Sequence, residues 1–343
     1  MPTSSLVQLP DHDLSHIFTL AKWYQIENGQ YQLSECAPDP QNGVFITLFG
    51  EQLTTAKLQN FLAFLHDSEF LVSAICQYHP HPALPEAIVV YVNNQYIPTV
   101  TEQLKKELRE AAHSLHLQAA ILVDPPTTAK PGLLVMDMDS TAIKIECIDE
   151  IARLANVYDE VAQVTAQAMA GQLAFSESLY QRVSKLEGVE LSLIQQLKEN
   201  LPLMEGVQTL CAHLKQHNWH LAIASGGFTW FAESLLEPLQ LDGYYANELE
   251  IADERLTGKV LGEVVDAQKK AQIVATLTEE LELDKQQTVA MGDGANDLIM
   301  MAQAGLGIAV HGKPKVVEQA DAAICEGSLL QVLYLLGIPC GKK

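Results

Sequence analysis

The segment GLLVMDMDST, residues 132–141, runs apolar residues straight into two aspartates that flank one methionine. In a strand, side chains two apart share a face, so Asp137 and Asp139 can address one site while Met138 points away. A second like charge beside the first is disfavoured, so one carboxylate of such a pair can stay ionised while its neighbour holds a proton. Alone the pattern is weak, because at ordinary composition on the order of one Asp-x-Asp arises by chance in a chain of this size. The sequence holds such a decoy in PDHDL, where Asp11 and Asp13 follow no apolar strand and read as a solvated turn or helix cap.

Two other segments carry chemistry. IASGGF puts Ser225, Gly226 and Gly227 at the end of an apolar strand and the expected start of a helix, where small residues let backbone N–H groups approach an anion. A serine nucleophile is disfavoured there because the Gly-x-Ser-x-Gly elbow is missing. MGDGANDL sets Asp293, Asn296 and Asp297 on a glycine-rich turn into a helix, more than a cap requires. A calcium loop over 137–148 fails, since its sixth and twelfth positions are Ala142 and Ile148 where glycine and glutamate are needed. Four converging aspartates would be driven to protonate unless a cation neutralised them, and a hard oxygen-liganded ion such as Mg²⁺, together with a phosphate, resolves the repulsion.

Such loops need strands to hold them. After DPPTTAKPG, residues 124–132, strand and helix patterns alternate, which predicts a doubly wound α/β parallel sheet with ligands beyond the carboxyl ends of its strands. A stretch of about 147–200 with helical period interrupts this alternation after the first strand. Ahead of the linker, strands near 44–49, 70–77, 86–92 and 119–124 and helices near 55–66 and 101–115 give the order βαββαβ. That order fits a ferredoxin-like sandwich resembling the ACT-type domains that bind amino acids, with packing or dimerisation as the plainer role. The expected boundaries are 1–124 for this domain, 125–131 for the linker and 132–343 for the α/β domain.

Composition narrows the function classes. With 43 acidic against 21 basic residues, a net charge of −22 argues against nucleic-acid and anionic-membrane surfaces, so any anion site must be built locally. The six cysteines are scattered without metal-like spacing, and neither a signal core nor a long apolar span is visible, so a soluble cytoplasmic protein with reduced thiols is expected.

DMDST, SGG, Lys270 in KKAQIV and GDGAND together resemble the four signature motifs of the haloacid-dehalogenase superfamily. DMDSTAIKIECIDEIA, AFSESLYQRVSKL and ASGGF resemble the phosphoserine phosphatase family within it, over about 131–337. The resemblance implies a helical cap at about 147–203 on a Rossmann-like core, and Mg²⁺-dependent hydrolysis of O-phospho-L-serine. It implies Asp137 as nucleophile, Asp139 as acid and then base, and metal ligands from Asp137, Asp293 and the Asp139 carbonyl. It further implies phosphate contacts from Ser225, Gly226, Lys270 and Asn296, with Gly227 and Asp297 in support. Glu146 matches the family's ammonium-binding residue, Arg182 its carboxylate-binding residue and Phe175 its apolar closing residue. Lys269 stands beside it, and the spacing of KAQI, which matches the family's, favours Lys270. The partners expected are small-molecule substrate only, with a homodimer left open. A phosphotransferase of the same superfamily and an inactive amino-acid sensor are the rival functions.

Overall fold

The computed structural model describes residues 14, 17–27, 30–39, 43–93 and 100–338, so Asp11 and Asp13 lie outside the described residues. The chain divides into two compact units: Met1–Thr127 with Val317–Cys325 and Leu330–Lys343, and Thr128–Val316 with Glu326–Leu329.

The first unit contains β1 (Trp23–Glu27), β2 (Gln30–Leu33), β3 (Gly43–Phe49), α1 (Thr55–Asp67), β4 (Val72–Tyr78), β5 (Ala87–Asn93), α2 (Glu102–Ser114) and β6 (Gln118–Leu122). Its antiparallel sheet has the order β2-β1-β4-β5-β3-β6. The last four form the expected split βαβ arrangement, and the β1–β2 hairpin extends it beyond the sequence reading. Each helix starts on a threonine cap, Thr54 accepting from the Lys57 amide and Thr101 from that of Leu104. Leu58, Phe61 and Leu65 of α1 and Leu104 and Leu108 of α2 pack over Val44, Ile46 and Leu48 of β3. The alternate residues of β3, Phe45, Thr47 and Phe49, are buried as well. Here the sequence reading, which carried the second domain to residue 343, differs from the structure. Tyr334 stacks on Phe49 at 4.7 Å between centroids, its carbonyl accepts from the Tyr78 hydroxyl, and its own hydroxyl donates to Pro85 O at 2.6 Å. An apolar C-terminal segment gains most burial where a sheet face is still uncovered, and it groups accordingly.

The second unit contains β7 (Leu133–Met136), α3 (Cys147–Leu154), α4 (Tyr158–Met169), α5 (Phe175–Ser184), α6 (Leu191–Glu199), α7 (Val207–Gln216), β8 (His220–Phe228), α8 (Thr229–Ala232), β9 (Gly243–Ala252), β10 (Arg255–Leu261), α9 (Ala267–Glu280), β11 (Thr288–Gly292), α10 (Leu298–Gln303) and β12 (Leu306–Val310). Six strands of this unit run in the order β10-β9-β8-β7-β11-β12. All neighbouring pairs are parallel except the β9–β10 hairpin. β7 is fully buried, as an apolar run without alternation requires of a strand covered on both faces. Helices α3 to α6 form the cap, entered and left by a narrow pair of segments in which Lys144 N donates to Pro202 O at 2.8 Å and Met204 N to Ala142 O at 2.9 Å.

One expectation needs correction. Ser225, Gly226 and Gly227 do not open a helix: β8 runs through them to Phe228, and its register on β9 shifts between Ala224 and Phe228. The irregularity frees the Gly226 carbonyl from regular pairing, and Asn247 of β9, with no exposed surface, takes it up by donating at 2.8 Å. The same side chain accepts from Val265 N at 2.9 Å. Asn247→Ala strands both groups in the interior, where each unpaired polar group costs roughly 1–3 kcal/mol. Urea denaturation should therefore show a loss of roughly 2–4 kcal/mol with an unchanged slope.

Candidate active site

Three strand ends meet at one cleft. β7 stops at Met136, so Asp137 lies just past it with φ −68° and ψ 163°, and Asp139 is again extended at φ −64° and ψ 132°. Both aspartates line the cleft, while Met138 is fully buried between them. The strand alternation expected from sequence survives one turn beyond the strand. Ser140 then takes a left-handed φ of 58°, and the chain closes a wide turn in which Ile143 N donates to Met138 O at 3.0 Å. That turn delivers Cys147 N to Asp139 Oδ2 at 3.2 Å and Glu146 Oε1 to the Ser140 hydroxyl at 2.8 Å.

Beneath the cleft floor lies Lys270, on the first turn of α9 and 1% exposed. Its Nζ sits 2.9 Å from Asp137 Oδ2 and 2.8 Å from Asp297 Oδ1. Lys269 instead pairs with Glu263 at the surface, so Lys270 is the lysine of the site. The two carboxylates outweigh the burial of the ammonium and hold Lys270 protonated far above its ordinary range. Asp297 is fixed in turn by accepting from Gly294 N at 3.0 Å and from Asn296 Nδ2 at 3.2 Å.

One ammonium does not neutralise this many acids. Burial, then the Asp137 and Glu146 charges, push Asp293 up to about 6. Asp139 is raised well above the usual carboxylate range by burial, then by Glu146 and Asp137, against the pull of the Cys147 amide. Its Oδ1 has no hydrogen-bond partner among the described residues. Carboxylate oxygens of Asp137, Asp293 and Asp297 all lie within 4.8 Å of one another. An all-oxygen donor set of excess negative charge fits a hard divalent cation, which would draw Asp293 back into its ionised form. Thr141, absent from the sequence reading, steadies this set by donating to Asp293 Oδ1 at 3.2 Å.

The cleft, about 590 Å³, is lined by Asp137, Asp139, Glu146, Phe175, Arg182, Ser225, Gly226, Gly227, Asp293 and Asn296. Every site residue expected from sequence thus lines the cleft or, for Lys270 and Asp297, lies under it. The glycines sit in close quarters: a Cβ on Gly226 would lie 2.8 Å from the Phe175 ring and one on Gly227 2.6 Å from Met138 Cε, so either side chain would have to move to admit it. The Ser225 hydroxyl accepts from Gly227 N at 3.0 Å, bracing the turn. Burial lowers the Arg182 pKa, opposed by Asp149, Glu146 and Asp139. Sequence reasoning did not single out Met169, Ser178, Lys313 or Lys315, which also line the cleft. Nothing in their local pattern separates them from surface or packing residues.

Comparison with known proteins bears on the same residues. Residues 131–305 match the haloacid dehalogenase-like hydrolase family model. A phosphoserine phosphatase of Vibrio cholerae is 51% identical over 68% of this chain and 71% of its own length. One from Haemophilus influenzae is 42% identical over 86% of this chain and 90% of its own. Among solved structures, an unliganded probable phosphoserine phosphatase from Vibrio cholerae aligns with TM-score 0.69 and 42% identity over 87% of both chains. A phosphoserine phosphatase solved as a phospho-aspartyl intermediate analogue aligns with TM-score 0.57 and 38% identity over 60% of this chain and 99% of its own. Asp137, Asp139, the buried Lys270 and the acidic cluster all fall inside the matched span, and the chain belongs to the haloacid dehalogenase-like hydrolase family.

Proposed function

We propose that this chain is a Mg²⁺-dependent phosphoserine phosphatase, hydrolysing O-phospho-L-serine to L-serine and phosphate as the last step of L-serine synthesis. The observation that carries the reading is Asp139: a carboxyl driven toward protonation, beside an Asp137 paired with buried Lys270, in a cleft that also presents Glu146 and Arg182.

In the first half-reaction an Asp137 carboxylate oxygen attacks phosphorus and the bond to the seryl oxygen breaks. Asp139 gives its proton to the departing alkoxide as the aspartyl-phosphate forms. In the second half-reaction the same carboxylate, now ionised, takes a proton from the water that attacks phosphorus. Asp137 is released with inorganic phosphate, and Asp139 is again protonated. Lys270 holds the nucleophile in place and offers a fixed positive charge to the phosphoryl oxygens. Ser225, the Gly226 amide and Asn296 supply further phosphate contacts. A Mg²⁺ held by Asp137, Asp293 and the Asp139 carbonyl, with Asp297 behind them, would screen the phosphoryl charge from the carboxylates. Glu146 suits the substrate ammonium, and the Arg182 fork suits its carboxylate. Phe175, against Gly226, closes the apolar side and excludes water.

Phosphate release measured across O-phospho-L-serine, O-phosphothreonine and sugar phosphates should favour phosphoserine and stop with chelator. Equal rates on sugar phosphates would remove the substrate assignment, and no release from phosphoserine would remove the whole reading. Asp137→Asn should lower turnover by roughly 10³-fold or more with the thermal midpoint retained. Survival of activity in that variant would place the nucleophile elsewhere. Asp139→Asn should slow kcat by roughly 10²–10⁴-fold, the range for a lost general acid and base. A loss confined to KM would assign Asp139 to binding instead.

A further inference from the structure

The strongest unexplained group in the cleft is the hydroxyl of Ser178. This residue is 1% exposed, lines the cleft, and its Oγ has no hydrogen-bond partner among the described residues. A buried serine in a helix usually donates back to the carbonyl one turn earlier. In α5 the Ser178 backbone amide bonds Ala174 O at 2.9 Å, and the side chain does not join it. Leaving a hydroxyl unpaired in the interior is unfavourable, so its absent partner points to a ligand.

Position tells which part of a ligand. Phe175, Ser178 and Arg182 lie three and four residues apart, a spacing that puts them on one face of α5, and all three line the cleft. The Ser178 backbone carbonyl also accepts from Arg182 Nε at 3.4 Å, tying the base of the guanidinium to the same turn. In the same cleft Glu146, the group suited to an ammonium, is already oriented by Ser140. A hydroxyl next to the guanidinium is therefore a donor placed for the anion that the guanidinium takes.

We propose that Ser178 is a specificity residue whose Oγ–H donates to the α-carboxylate of the substrate, completing with Arg182 a two-donor site for that group. The proposal rests on the phosphoserine reading and deepens it. It explains why a small polar residue occupies a helix position that alanine would fill without an unpaired group.

The test is steady-state kinetics of wild type and Ser178→Ala on O-phospho-L-serine and on O-phosphoethanolamine, which keeps the phosphate ester and the ammonium but lacks the carboxylate. KM for phosphoserine should rise about tenfold in the variant, the scale of one hydrogen bond to a charged group, with kcat within about twofold. KM for phosphoethanolamine should not move. The substrate-free thermal midpoint of the variant should equal or exceed that of wild type, because the substitution removes an unpaired buried hydroxyl. Parallel changes on both substrates, no change on either, or a lowered midpoint would overturn the proposal. Failure of wild type to release phosphate from phosphoserine is a separate result, which removes the functional reading and this proposal with it.

Discussion

One buried ammonium organises the catalytic unit. Lys270 sits between Asp137 and Asp297 with almost no exposed surface, and a charge so placed is tolerable only because both partners are within hydrogen-bond distance. The pairing uses one lysine for two acids and leaves the floor around Asp293, Asp139 and Glu146 short of positive charge. That deficit accounts for the upward push on Asp293 and Asp139. It also makes the floor a place where a divalent cation and a protonated carboxyl relieve strain that the fold has built in. The chain's net charge of −22 gives no long-range help with an anion, so the attraction has to come from within this floor.

The cap supplies part of the lining of the cleft over that floor, and its attachment is asymmetric. At one end it is carried by the two segments through Lys144 and Met204. At the other, the chain after α5 is joined to the β9–β10 hairpin: Gly188 N donates to Leu256 O at 2.8 Å and Leu256 N to Val189 O at 2.9 Å, and Arg255 pairs with Glu190. α5, which brings Phe175, Ser178 and Arg182 to the cleft, belongs to this second attachment of the cap. Met169, the last residue of α4, is 74% exposed although it lines the cleft.

Much of this was legible in the sequence, for identifiable reasons. β7 and β11 are short, mostly apolar runs stopped by Asp137 and by Gly292 with Asp293, and both their strand character and the position of the two aspartates follow from where the apolar run stops. The cap helices follow from period and length. The β1–β2 hairpin was not legible, because β2 is a four-residue edge strand with mostly exposed residues, too short for its alternation to stand out. The burial of the 330–338 segment is visible as apolarity, but apolarity does not say which surface it covers. The SGG segment misled for a different reason: a strand that continues through two glycines with a shifted register has no propensity signal, and its support is a distant Asn247.

Asn247 and Ser178 show where sequence reading ends. Each is a single polar residue in an element that otherwise reads as regular, and each looks like an ordinary solvent-facing position. What distinguishes them is whether the polar atom is buried and what it meets there. Asn247 meets two backbone groups and is a structural brace, whereas the Ser178 hydroxyl has no partner among the described residues. Both carry the same burden of desolvation, and only the first is repaid within the protein. A fold that keeps the second is holding a donor in reserve for something that enters the cleft, and the neighbouring guanidinium fixes the sign of the charge it will meet.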